Sequence, residues 1–207
     1  LLCRGREEAA FTAFAAARRV VPPGSVADAL AWEGEMRLWQ GRPAAARVLL
    51  EKAVRLGAIY AEGWKGGALA LEGRWEEALA PLERAIARTP HDAESRTWKA
   101  EALLRLGRPA DALAAADQAL AAFRRYSGFH LLVVRGLARH ALGDAAGAEQ
   151  AACGVPPAVL DFVRGRVAAA RGDGPAAAAA ALEAVLRLSR GVRRGGHETA
   201  VWLREPA

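Results

Sequence analysis

The chain is poor in the residue types that most often carry chemistry. It has two cysteines, Cys3 and Cys153, far apart and in no CxxC or metal-ligand spacing, so neither a disulfide framework nor a cysteine metal site is expected. Its four histidines, His91, His130, His140 and His197, form no HExxH pair, and they read as satisfied or solvent-facing. The four serines, Ser25, Ser95, Ser127 and Ser189, lie in no GxSxG elbow. No GxxxxGK or GxGxxG loop is present to cradle phosphate. An enzyme is therefore not expected, and no cofactor or metal is called for. No charge-free apolar stretch reaches the roughly 18 residues of a membrane helix, so no membrane span is expected, and no signal peptide is visible. Lysine is scarce too: Lys52, Lys65 and Lys99 are the only three.

What is present is alanine, glycine and arginine. Hydrophobic residues make up 53% of the chain, and much of that share is alanine, the best helix former. The arginine bias beside alanine and glycine suggests a GC-rich bacterial genome. The net charge is +6, but the positive groups are spread through segments that also carry acids. They read as a solvated helix surface, and nucleic-acid binding is disfavoured.

The positions of glycine and alanine carry the fold signal. Gly5, Gly41, Gly73, Gly107, Gly143 and Gly172 are each followed five residues later by an alanine: Ala10, Ala46, Ala78, Ala112, Ala148 and Ala177. The glycines are 36, 32, 34, 36 and 29 residues apart. A near-constant period of this size means stacked helical pairs. Between Ile59 and Asp92, Ala61 to Leu71 predicts a helix that stops at Gly73. A second helix then opens with Glu76 and Glu77 in its first turn, where acids suit the helix dipole, and stops at Thr89–Pro90. Gly34, Gly66, Ala100, Gly136 and Gly165 lie seven residues before each turn glycine, opposite the alanines five after it. Small residues on both helices predict close backbone approach. A third set, Ala17, Ala53, Ala85, Ala119 and Ala184, lies twelve after it; Val155 breaks this set. With Gly154 and Pro156–Pro157 it predicts a change of path between 150 and 160.

These residues resemble the tetratricopeptide repeat. The match is closest in Gly66, Gly73, Trp75, Ala78, Ala85 and Pro90; the other repeats replace the aromatic by Pro43, Pro109, Ala145 and Gly174. The resemblance covers residues 1–189, with a partial first repeat to Pro23, and implies an all-α, right-handed superhelical solenoid of about five helix pairs. Sel1-like arrays, with slightly longer repeats, are the rival. Residues 190–207 form a basic, glycine-rich tail or the start of a missing domain, and the opening at Leu1, inside a repeat, suggests a piece of a longer protein.

In that family the first helix of each pair lines the concave face. Trp32, Trp64 and Trp98 fall at one place, nine residues before the turn glycine, continued by Val134 and Val163. With Glu35 and Glu101 nearby, they are expected to form an apolar, Trp-lined groove for a peptide or helix, unless each tryptophan is wedged into the core. Chaperone-binding members clamp a peptide carboxylate with basic residues. The corresponding places here hold Ala31, Glu35, Trp64, Glu94 and Trp98, so an Hsp70 or Hsp90 tail is not the expected ligand. The expected function is a protein–protein interaction scaffold, and open array ends permit self-association. The alternative is a helper module of a larger bacterial enzyme or export protein, such as a glycosyltransferase or an exopolysaccharide exporter. Localisation is left open, with cytoplasmic slightly favoured over periplasmic.

Overall fold

In a computed structural model of the protein, the described residues are 23–122 and 129–144, with single helical positions at 9, 12, 13, 15, 16, 19 and 146. The regular elements among them are all helical. They are α1 (Pro23–Trp39), α2 (Pro43–Arg55), a single 3-10 turn (Ile59–Ala61), α3 (Glu62–Leu71), α4 (Trp75–Arg88), α5 (Ala93–Arg105), α6 (Pro109–Ala122) and α7 (Phe129–Ala141). The all-α, helix-pair fold expected from the sequence is the fold observed. The chain divides into two compact bodies, one ending at Arg88 and the other beginning at Thr89.

In the first body α1 packs on α2, α2 on α3 and α3 on α4. The turn between paired helices follows from its glycine. At the end of α3, Gly73 N–H donates to Ala70 C=O at 3.0 Å and Arg74 N–H to Leu69 C=O at 2.9 Å. This pattern requires a left-handed residue at the turn, and Gly73 has φ 77°. Arg42 repeats the longer bond to Arg37, Arg108 to Leu103 and Asp144 to Arg139, all at 2.9–3.0 Å. The alanine five residues later also has a local reason. Ala46, Ala78 and Ala112 close the first bond of the second helix by donating to Arg42, Arg74 and Arg108, and all three are buried. Pro43 and Pro109 stand at the first position of their helices, where no N–H is needed.

One expectation changes in detail. In the first body the small residue on each first helix faces a leucine of the paired helix, and Gly34 the Ala46 carbonyl as well. A Cβ on Gly34 would lie 2.6 Å from Leu50 Cγ and 3.3 Å from the Ala46 oxygen; one on Gly66 would lie 2.5 Å from Leu82 Cγ. The glycine leaves a notch and the leucine fills it, so Leu50 and Leu82 are fully buried. At the same two places the second body carries Ala100 and Ala116, both buried, which splits the volume evenly between the helices.

Two charged contacts fasten the first body. Arg47 on α2 donates through Nε to both carboxylate oxygens of Glu72 at 3.1 Å, and through Nη1 to Glu51 at 2.9 Å. Glu72 lies in the α3–α4 turn, so the contact joins one helix pair to the next. Glu62, at the start of α3, accepts from Arg84 on α4 at 3.1 and 3.2 Å and pairs with Lys65 at 3.0 Å. Burial opposes ionisation of Glu62, but the hydrogen bonds from Arg84 and Lys65 outweigh it and hold its carboxyl below the ordinary value.

In the second body α5 packs on both α6 and α7, and α6 on α7. Asp92 caps α5 by accepting from the Ser95 N–H at 2.9 Å. The change of path predicted at 150–160, the tail 190–207 and Cys3 and Cys153 lie outside the described residues.

Candidate functional site

The 3-10 turn sets up an aromatic surface on the first body. It presents Tyr60 immediately before α3, and α3 carries Trp64 one helical turn further on. The Tyr60 and Trp64 rings meet edge to face, 5.8 Å apart and 87° to each other. Trp64 in turn packs against Trp32 of α1, with ring centres 5.2 Å apart and planes tilted by 56°. Both separations lie in the range favoured by aromatic pairs. Trp64 is half-buried and rests on the core formed by Leu30, Leu38, Leu50 and their alanine neighbours. Trp32 is 49% exposed and Tyr60 47%. Beside them Ile59 is exposed as well.

The polar frame of this patch is acidic. The Tyr60 hydroxyl donates to Asp28 Oδ1 of α1 at 2.7 Å. Partial burial, then this hydrogen bond, then the charges of Asp28 and Glu35 push the Tyr60 phenol above its ordinary value. Two cations on the same helices are engaged by other acids. Lys65 pairs with Glu62 at 3.0 Å, and Arg37 with Glu33 at 3.7 Å.

The residues expected to line one groove therefore divide. Trp32 and Trp64 are brought together, with half-buried Glu35 less than one turn beyond Trp32 on α1. Trp98, Glu101 and Val134 belong to the second body, where Trp98 is 1% exposed and the other two fully enclosed. These three take the core alternative. Trp98 meets the His130 ring edge to face at 5.4 Å, and Glu101 Oε2 lies 2.9 Å from His130 Nε2, tying α5 to α7. Val163 lies outside the described residues. Asp28 and Tyr60 were missed. Each precedes a tryptophan of the ladder by four residues, at the place where the later repeats carry Glu94 and His130. That register position was the available signal.

No group of histidine, cysteine, aspartate or glutamate that could hold a metal occurs among the described residues. None of the described helices is long and apolar enough to cross a membrane.

Two tetratricopeptide repeat family profiles match the chain, over residues 40–93 and 69–135. The chain is a tetratricopeptide repeat protein. Among solved structures, a MamA RS-1 double mutant resembles it with a TM-score of 0.63 and 19% identity, over 74% of this chain and 85% of that one. A thermophilic tetratricopeptide protein of Thermus thermophilus resembles it with a TM-score of 0.57 and 21% identity, over 80% and 86% of the two chains. At such identities the likeness is one of fold. No curated protein matches the chain. The tetratricopeptide fold is a protein-interaction module in general, and its members typically bind protein partners.

Proposed function

We propose that this tetratricopeptide protein is a non-catalytic scaffold that takes a peptide or helix of a partner on the aromatic surface of Trp32, Trp64 and Tyr60. The observation that carries the reading is the Trp32–Trp64 pair, two indoles in contact with one of them half exposed. Large rigid aromatics give much contact area for little lost side-chain entropy, which favours them as interface anchors. The acids around the pair speak against a ligand that binds through a carboxylate, in agreement with the missing basic clamp. Glu35 is retained in this surface. Trp98, Glu101 and Val134, enclosed in the second body, are left out of it.

A displayed random-peptide library selected on the immobilised full-length protein tests this. Selected peptides should compete with one another and lose about tenfold or more in affinity on Trp32→Ala, as an anchor residue does, while helical circular dichroism is unchanged. Peptides that bind Trp32→Ala as tightly as the wild type would overturn the reading.

A further inference from the structure

The same patch has the parts of a cation receptor. We infer that the group it takes from the partner is the guanidinium of an arginine in a basic peptide segment, laid on the exposed face of Trp32 and paired with the carboxylate of Asp28. This rests on the scaffold reading above and names the chemistry of its ligand.

Three observations converge on it. The first is the ring geometry. The Trp32 and Trp64 centres are 5.2 Å apart and Tyr60 stands edge-on to Trp64 at 5.8 Å, so the rings are in mutual contact and leave no slot between them. A ligand must lie on an outer face, and Trp32 offers the most exposed one. A planar cation suits a flat indole face, because the ring quadrupole attracts it and the guanidinium stacks as a plate.

The second is charge. Asp28 is tied to the patch by its hydrogen bond from the Tyr60 hydroxyl at 2.7 Å. Asp28 already accepts one hydrogen bond from Tyr60 through Oδ1, and its second oxygen has acceptor capacity for a donor from the ligand. The third is the neighbourhood. Lys65, next to Trp64 in sequence, pairs with Glu62 at 3.0 Å, and Arg37 of α1 with Glu33 at 3.7 Å. A purely apolar helix would cover the rings but would draw the Asp28 carboxylate partly out of water without offering it a cation, which costs affinity.

The test uses the full chain and short acetylated, amidated peptides. One contains two arginines flanked by glycines, a second has citrulline in place of both, and a third has leucine. The readout is the indole N–H resonances of Trp32 and Trp64, assigned with Trp32→Phe and Trp64→Phe. The arginine peptide should shift the Trp32 resonance in a saturable way, and the citrulline peptide, with the same shape and no charge, should not. Asp28→Asn keeps an oxygen to accept from Tyr60 but removes the charge, and it should weaken arginine binding about fivefold, as the loss of one charge-assisted contact does. Equal shifts from arginine and citrulline, or shifts from the leucine peptide alone, would overturn the cation and leave the scaffold surface standing. No shift of either indole with any of the three peptides would overturn both.

Discussion

Trp32 and Trp98 occupy the same place in the repeat and meet opposite fates. The following first helix offers Trp64 at that place in one case and Val134 in the other. Two indoles side by side cannot both sink between helices, whereas an indole beside a valine can. Alanine at the two positions should therefore act differently. Trp98→Ala leaves a large void in a closed core and should cost about 3–5 kcal/mol. Trp32→Ala removes a half-exposed ring and should cost less than about 1 kcal/mol. Urea unfolding of the two variants measures the difference. The glycines give a second contrast. Gly66→Ala drives a methyl into Leu82 and should destabilise by about 1–3 kcal/mol. Gly73→Ala meets no atom within 4 Å but must hold a left-handed backbone, costing about 1–2 kcal/mol. Adding Leu82→Ala to Gly66→Ala should give a double variant more stable than the sum of the separate losses predicts, because the two side chains share one space. No such coupling should occur between Gly73→Ala and Leu82→Ala.

At the scale of elements, hydrogen bonding through the backbone was legible and ion pairing was not. The bounds expected for α3 and α4 are nearly those found, because a glycine stop and an N-terminal acidic turn act within five or six residues. Pro81 lies inside α4, and the helix runs through it with the ring buried. The Glu62–Arg84 contact spans two helices, and nothing in the local pattern announces it. It makes a pH prediction. Glu62 titrates lower when folded than when unfolded, so its contribution is fully present above the ordinary carboxyl value near pH 4.5. It is lost as pH falls through the folded value. Urea midpoints of wild type and Glu62→Gln should therefore differ most at neutral pH and draw together as the pH falls below 4.5 and through the lower folded value. In the second body, Glu101→Ala leaves His130 and Arg105 beside an empty buried place. It should cost about 3–5 kcal/mol, the range for breaking a buried pair from one side, read from urea denaturation.

For the molecule as a whole, each helix pair owes its stability to its own packing and to its nearest neighbours. Residues 23–88 hold two complete pairs, the Arg47–Glu72 junction and the aromatic patch. This segment alone should show helical circular dichroism and a sigmoidal loss of it in urea. A flat, non-cooperative urea curve would show that it needs the rest of the chain. The excess positive charge, +6 over the chain, makes the acidic surround of Trp32 a local exception, and such an exception matters only at short range in salt.

The sequence by itself determined where α3 and α4 stop and start, which positions must be small and that the fold is built of helix pairs. Those features follow from backbone geometry and close approach, which act over a few residues and recur with the repeat. Only the tertiary structure decided which of three equivalent tryptophans is open, that Tyr60 meets Asp28 across 32 positions of chain, and that Glu101 is sealed against His130. Exposure and ion pairing depend on what the next helix places opposite a side chain, and the repeat leaves that choice free.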